Sequence, residues 1–374
     1  MPFIGNQPSA IPLTSSDLVD GIVTNPKLST GSQQNFRNII INGDMSIAQR
    51  GTSVTGVGDG DSGYHTVDRF KFVESGSPST VFTQSQSTDV PSGQGFAKSL
   101  KMDCTATGSG GYLHITQRFE GQNLQYLKKG TSNAESFTLS FWVKSAKTGT
   151  YIAEFRDIDN TRNISKSYTI SSADTWEKKT ITFPGDTSGA FGNDNGSSLE
   201  LNLWLAAGSS NTSGTLQTNW GSQVAANRAV GQVNLGDSTS NDWYITGMQL
   251  EAGTTASEFE FLPADVTEDR CRRYYQIGGN CSGRAYSTGG GEFYYAFEKQ
   301  MRSAPSATLL DGTSIGEKAG KLHLAGISSY NITALSSASN QTTKSIQFNF
   351  AASSLTSGST MGVLGNPVAL DAEL

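Results

Sequence analysis

The chain has 374 residues, which is long enough for two or three domains with cores of their own. Only 35% of the residues are hydrophobic and 16% are charged, whereas glycine occurs 42 times, and this composition favours many short strands over a helical enzyme. The net charge of −6 argues against a nucleic-acid-binding protein, because a duplex repels an acidic partner. No segment approaches the roughly 18 apolar residues that cross a bilayer, so we expect no membrane insertion.

Residues 1–34 are predicted to form an extended leader. Apolar residues are unevenly spaced in "SAIPLTSSDLVDGIVTNPKLSTGSQQ", and Pro12 and Pro26 interrupt any helix. A segment of this composition buries too little apolar surface to fold alone. Two interpretations stay open: the leader is a disordered tail, or it becomes ordered against a partner or against copies of itself.

The stretch "NIIINGDMSIAQRGTS" (38–53) follows this leader and is strongly β-forming. Its three isoleucines predict the first strand of a domain, buried on both faces or nearly so. Asn42-Gly43 predicts a turn or bulge with a positive φ angle. Asp44 and Arg50 are expected to make local hydrogen bonds and to take no part in chemistry.

Residues 35–264 are predicted to form an all-β domain, a jelly-roll β-sandwich. In "SFTLSFWVKSA" (136–146), apolar residues alternate with mostly polar ones, which is the period of a half-buried strand. "TYIAEFRD", "DTWEKKTITFPGD", "SLELNLWLAAGS" and "NDWYITGMQLEAG" continue the series of short strands. The glycine-, serine- and asparagine-rich residues 206–241 are expected to form a surface excursion or a mobile flap.

Residues 265–275 are predicted to form a short helical joint. Pro263 restarts the chain, and acidic residues precede basic ones in "PADVTEDRCRRYYQ", the charge order that stabilises a helix. Beyond the joint, "GEFYYAFEKQMRSAPSATLL" and "KSIQFNFAASS" again have the pattern of strands. We therefore expect a second, smaller β domain over residues 276–374, distal to the leader.

The usual catalytic patterns are absent from the sequence. His65, His114 and His323 occur singly, and there is neither a phosphate-binding loop nor a nucleophile elbow. "GVGDGDSG" (56–63) lacks the third oxygen ligand and the terminal glutamate of a calcium loop, so we interpret it as a surface loop. Nothing selects a carboxylate pair of the glycosidase type. We expect no catalytic residue, no metal ligand and no cofactor.

The cysteines are Cys104, Cys271 and Cys281, an odd number that is too small for a disulfide scaffold. Cys271 and Cys281 could meet across a hairpin. Unpaired thiols in a protein made in a cytoplasm are the favoured interpretation.

The most informative feature is a pair of tryptophans on the side of two strands that faces away from the core. If alternate apolar residues point inward, Trp142 and Lys144 point outward from one strand, and Glu200, Asn202 and Trp204 point outward from another. The same alternation sends Arg156 outward. Indole rings beside amides and charges suit sugar recognition, because a pyranose stacks its C–H face on the ring while its hydroxyls take hydrogen bonds. Alternatively, the leader, a loop or a neighbouring subunit covers the tryptophans.

Several of these segments together resemble a known family. "NIIINGDMSIAQRGTS", "YHTVDRFKF", "FTLSFWVKSA", "TWEKKTITFP" and "WYITGMQLEAGTTASEFEFLP" resemble, in order and spacing, a carbohydrate-binding-module-like jelly roll found in bacteriophage tail fibre proteins. The resemblance spans roughly residues 35–275. "MPFIGNQPSAIPLTSSDLVDGIVTNPKLS", "FYYAFEKQMRSAPSATL" and "VALDAEL" are similar to segments of fibres from cyanophages and related marine phages.

The resemblance implies a virion tail component, made in the host cytoplasm. It implies a homotrimer that attaches to tail or adaptor proteins through residues 1–34 and meets a host surface glycan with its distal domains. It implies no shared set of ligand residues. Two alternatives stay open: a purely structural tail adaptor, collar or connector, and a polysaccharide depolymerase, although the stacked repeats of a β-helix are absent.

Overall fold

The computed structural model describes residues 36–374 except 77–78, 279–280, 310–320, 325–328, 332–333, 340–341, 352–354, 356, 359 and 364–367. The predictions for the leader, residues 1–34, lie outside the described residues. Regular structure in the described part is almost entirely β, which confirms the predicted all-β class. No helix in that part is long and apolar enough to cross a membrane.

The first part of the chain forms two antiparallel sheets. Its strands are β1 (Ser53–Gly58), β2 (Gly63–Tyr64), β3 (Lys71–Ser75), β4 (Val81–Ser87), β5 (Ser99–Ala106), β6 (Tyr112–Glu120), β7 (Phe137–Ser145), β8 (Gly149–Asp157), β9 (Arg162–Ile170), β10 (Glu177–Phe183), β11 (Ser197–Ala207), β12 (Gly221–Ser222) and β13 (Asp242–Ala252). The first sheet has the order β1-β4-β5-β13-β7-β10. The second has the order β12-β9-β8-β11-β6-β3-β2.

One hydrophobic core lies between the two sheets. Leu139 on β7 and Leu201 on β11 stand at inward positions of the alternating pattern and are almost completely buried in this core. Phe137, Phe155 and Phe183 pack together across the sheets with ring centroids 4.9–5.5 Å apart. The period-2 pattern of the sequence is therefore confirmed, and this part of the chain is a β-sandwich.

The isoleucine stretch is buried as predicted, but the predicted first strand is wrong. Ile40 is 1% exposed, yet residues 39–41 have no strand structure. The backbone N–H of Ile39 donates to Leu250 of the first sheet at 2.9 Å, and that of Ile41 donates to Oε1 of Gln117 on the second sheet at 2.9 Å. Because these hydrogen bonds go to both sheets and partly to side chains, the segment closes one end of the sandwich instead of joining a ladder.

The Asn42-Gly43 turn has the strained geometry that the sequence predicts. Asn42 has φ +62°, and the backbone N–H of Met248 donates to the Gly43 carbonyl at 2.9 Å. A Cβ atom on Gly43 would lie 2.1 Å from the Met248 carbonyl oxygen. Glycine is therefore required here by a close backbone approach, and the positive φ belongs to Asn42.

Beyond the sandwich, a short helix leads into further sheets. Helix α1 (Ser209–Thr212) lies within the expected excursion, and α2 (Ala264–Arg272) lies where the joint is predicted. The remaining strands are β14 (Tyr275–Gly278), β15 (Cys281–Ser287), β16 (Gly290–Ala296), β17 (Ser306–Leu309), β18 (Lys321–Leu324), β19 (Ser329–Asn331), β20 (Ala334–Ser339), β21 (Ser345–Ala351), β22 (Thr360–Val363) and β23 (Val368–Asp371). They form a three-stranded sheet, β14-β23-β17, and a seven-stranded sheet, β19-β18-β22-β15-β16-β21-β20. The division into domains stays a prediction.

Cys271 on α2 is a buried free thiol, as is Cys104, and the Cys281 side chain lies outside the described residues.

The end of the chain returns to the sandwich. Strand β23 lies between β14 and β17, and the Tyr64 hydroxyl donates to the Leu374 carbonyl at 3.2 Å. The buried Glu373 carboxylate pairs with Arg69 and Arg50. The prediction that Arg50 makes local bonds is wrong, because its guanidinium also lies 3.1 Å from Asp371. A contact more than 300 residues away along the chain has no local sequence signal.

Candidate functional site

The six predicted site residues do not form one site. Trp142 and Lys144 lie on β7 of the first sheet, whereas Glu200, Asn202 and Trp204 on β11 and Arg156 on β8 lie on the second sheet. The two sheets pack face to face, so their outer faces point in opposite directions. Alternation along a strand identifies the outward side of each strand but cannot tell which strands share a sheet.

Trp204 is on the outer face of its sheet but is fully buried. Residues 208–236, which we call the covering segment, pack over this face through Ala229. The indole Nε1 donates to Glu154 at 3.1 Å, and the Arg228 guanidinium lies 4.9 Å from the ring centroid. Of the two interpretations left open for Trp204, a sugar-facing ring and a covered one, the covered ring is observed, and a loop covers it.

Glu154 lies at the centre of the contacts beneath the covering segment. Both of its carboxylate oxygens accept hydrogen bonds from Arg228 at 2.8 Å. Asn163 and Asn202 donate to the same carboxylate at 3.1 and 3.2 Å. With its charge paired and its acceptors occupied, Glu154 stabilises the covered face and has no capacity left for a ligand.

Glu200 and Arg156 belong to a second set of ion pairs on this face. The Glu200 carboxylate accepts from Arg118 at 2.8 Å and from Arg156 at 3.1 Å. Burial raises the pKa of Glu200, but His114 in its protonated form and the charges of Arg118 and Arg156 outweigh burial and lower the pKa to about 2. This carboxylate is therefore ionised over the physiological range and held in place.

Trp142 has a different environment on the first sheet. It is half-buried beside Lys178 of β10 and Thr246 of β13, at the edge of a pocket of about 220 Å³. Phe96 and Phe261 also line this pocket. The indole ring thus remains partly available to solvent, in contrast to that of Trp204.

Three phenylalanines build one wall of the Trp142 pocket. The rings of Phe96, Phe259 and Phe261 lie 4.8–5.2 Å from one another, centroid to centroid, and Phe261 is 51% exposed. Polar groups of Gln94 and Ser140 line the same pocket. Alternation within strands does not identify these phenylalanines, because they lie outside the strands; the pattern "EFEFLP" is a sequence signal for Phe259 and Phe261 only.

Lys144 extends the aromatic surface along β7. Its ammonium pairs with Asp89 and lies 4.2 Å from the Tyr244 ring and 5.7 Å from that of Trp176. The Trp176 indole N–H donates to Asp89 at 2.9 Å. The hydrogen bonds from Lys144 and Trp176 outweigh partial burial and lower the pKa of Asp89. We call this outer surface, from Phe261 through Trp142 to Trp176, the Trp142 face.

The Trp142 face can stack flat apolar surfaces and form hydrogen bonds beside them. In the described part of the chain, no three histidine, cysteine or acidic side chains are grouped as metal ligands. Aromatic rings next to an amide, a hydroxyl and the exposed lysine Lys178 are a combination that suits neutral or weakly polar ring compounds with hydroxyl groups.

Comparison with known proteins identifies distant structural similarities. No protein-family model and no curated protein matches the chain. A domain of tailspike protein 4 from bacteriophage CBA120 aligns with a TM-score of 0.32 at 15% identity, covering 58% of this chain and 21% of that one. A CBM4 structure aligns with a TM-score of 0.30 at 10% identity over 56% of this chain and 97% of that one. A family 11 carbohydrate-binding module from Clostridium thermocellum, in complex with a mixed-linked tetrasaccharide, aligns with a TM-score of 0.26 at 13% identity, covering 50% of this chain and 91% of that one. The chain thus spans about a fifth of the tailspike chain's length.

Proposed function

We propose that this protein is a non-enzymatic component of a bacteriophage tail fibre that binds a glycan on the host surface through the Trp142 face. The observation that carries the binding part is the partly exposed indole of Trp142 beside phenylalanine rings and hydrogen-bonding side chains. The tail-fibre part rests on the resemblance of the sequence segments. Assembly as a homotrimer and attachment to tail proteins through residues 1–34 belong to the same proposal.

A shallow face of this kind suffices if several copies act together. Three sites on one fibre, and several fibres on one particle, raise the effective concentration of binding sites at the cell surface. Weak binding by each site then gives stable attachment. This proposal requires the Trp142 face to stay uncovered in the assembled virion.

Replacing Trp142 with alanine is expected to weaken glycan binding by about tenfold or more, which corresponds to about 1.4 kcal/mol. The reason is that the sugar loses the ring on which it stacks. The measurement is binding of the labelled full chain to an array of bacterial surface polysaccharides, compared at half-saturation.

The control is Tyr286→Ala, which removes an exposed aromatic side chain that lies on β15, outside the Trp142 face. Its binding should equal that of the unchanged protein. Equal binding by Trp142→Ala would contradict the proposed face. Release of oligosaccharides from a bound polysaccharide would instead favour a depolymerase.

A further inference from the structure

A second pocket, of about 400 Å³, lies at the end of the sandwich. It is bounded by the turns after β6 (121–127), by helix α2 and by residues 36–41. It shares no lining residue with the pocket at Trp142. Its volume is within the range of about 300–1,000 Å³ that is typical of small-molecule sites.

The lining of this pocket is cationic although the chain as a whole is acidic. Three arginines and one glutamate line it, whereas the net charge of the chain is −6. Two of the arginines already have carboxylate partners: Arg118 pairs with Glu200, and Arg273 pairs with Glu120 at 2.7 Å. The third is Arg270.

Arg270 differs from the other two arginines of this lining. Its guanidinium donates to the backbone carbonyl of Asn38 at 3.3 Å, and it forms no ion pair with any carboxylate among the described residues. The nearby Glu260 carboxylate instead accepts from the backbone N–H groups of Phe36 and Asn38. Burial lowers the pKa of Arg270, since few charges compensate the loss of water. A guanidinium has five N–H donors, so this one retains capacity for a planar anion.

Two exposed aromatic rings stand at the same pocket. Phe36 is 65% exposed and Tyr126 is 46% exposed, and both line it. The amide side chains of Gln122 and Asn123 line the same pocket, and Nε2 of Gln122 donates to Glu120 at 2.5 Å. Large exposed aromatic side chains beside a partly buried cation favour a ligand with a flat apolar face and a negative charge.

We propose that this pocket, the Arg270 pocket, binds an acidic saccharide of the uronic acid type. Arg270 holds the sugar carboxylate in a bidentate hydrogen-bonded pair, and the rings of Tyr126 and Phe36 stack on the C–H face of the pyranose. Gln122 and Asn123 donate to and accept from its hydroxyls. The site is separate from the Trp142 face and does not depend on glycan binding there.

The test compares two α-1,4-linked trisaccharides, trigalacturonate and galactotriose, binding to the full chain by calorimetry. They differ only at C6, which is a carboxylate in the first and a hydroxymethyl group in the second. We expect trigalacturonate to bind at least about tenfold more tightly, because its carboxylate forms a charge-assisted bidentate pair with Arg270 that galactotriose cannot form. Arg270→Gln should bring both affinities to the same level, and Arg270→Lys should keep part of the preference. Tyr126→Ala should weaken binding of both sugars.

The matched control is Arg284→Gln, because Arg284 is a surface arginine with a 68% exposed side chain on β15. It should leave the preference for trigalacturonate unchanged. Equal affinity of the unchanged protein for both sugars would overturn the proposal, as would a preference that survives in Arg270→Gln. Triglutamate binding as tightly as trigalacturonate would assign the pocket to acidic peptides. Should Arg270→Gln fail to fold, the other two variants provide the test. Arg270→Lys should reduce the preference for trigalacturonate, and Tyr126→Ala should weaken binding of both sugars; no change in either variant would overturn the proposal.

Discussion

Replacing Lys129 with methionine is expected to lower the free energy of unfolding by about 3–5 kcal/mol, the cost of breaking a buried ion pair. The Lys129 ammonium contacts the carboxylates of Asp157 and Asp186 and the carbonyls of Ser188 and Gly189. The two aspartate side chains are at most 4% exposed. Methionine keeps the apolar stem but leaves the Asp157 carboxylate without a cation, whereas Asp186 retains Arg162 at 2.8 Å.

The measurement is chemical denaturation at neutral pH, with Lys128→Met as the matched control. Lys128 is the adjacent lysine; its side chain is 54% exposed and pairs with Glu135. Loss of such a surface pair changes stability by about 0–1 kcal/mol. Combining Lys129→Met with Asp157→Asn should recover part of the loss, because it removes the uncompensated charge. A loss for Lys129→Met no larger than that for Lys128→Met would contradict the role assigned to this ammonium.

Acidification is expected to destabilise the sandwich through His114, by about 1.4 kcal/mol per pH unit at most. Burial lowers the pKa of His114 to about 3; Glu200 opposes this shift, and Arg228, Arg156 and Arg118 add to it. In the unfolded chain, a histidine binds its proton near pH 6.5. Between these two values the unfolded state binds one more proton than the folded state, so stability falls as the pH decreases.

The measurement is the free energy of unfolding from pH 7 to pH 4.5 for the unchanged protein and for His114→Gln. Glutamine does not titrate, so the stability difference between the two proteins should shrink by about 2–3 kcal/mol over this range. A constant offset between them reflects lost packing against Tyr112 and does not affect the slope. Parallel pH profiles would contradict the lowered pKa of His114. Below pH 4.5, the lowered pKa of Glu200 adds a further loss in the same direction.

Covering of Trp204 could not be foreseen from the strand that carries it. Trp142 and Trp204 have the same local pattern, an indole between polar residues on the outward side of a strand. The difference arises from residues 208–236, where Arg228 pairs with Glu154 on β8, more than 70 residues earlier in the chain. A glycine- and serine-rich segment contains no local signal of the face on which it packs.

The all-β class and the inward side of the strands follow from the sequence alone, because side-chain alternation is a local property of an extended backbone. The sequence also identifies the turn at Asn42-Gly43, where the backbone geometry depends on neighbouring residues. Three features become visible only in the folded chain. Trp142 and Trp204 lie on opposite faces, Glu373 is buried against Arg69, and Arg270 has no carboxylate partner among the described residues. These features depend on which distant segments meet, and that is set by the packing of whole sheets, which no short stretch of sequence encodes.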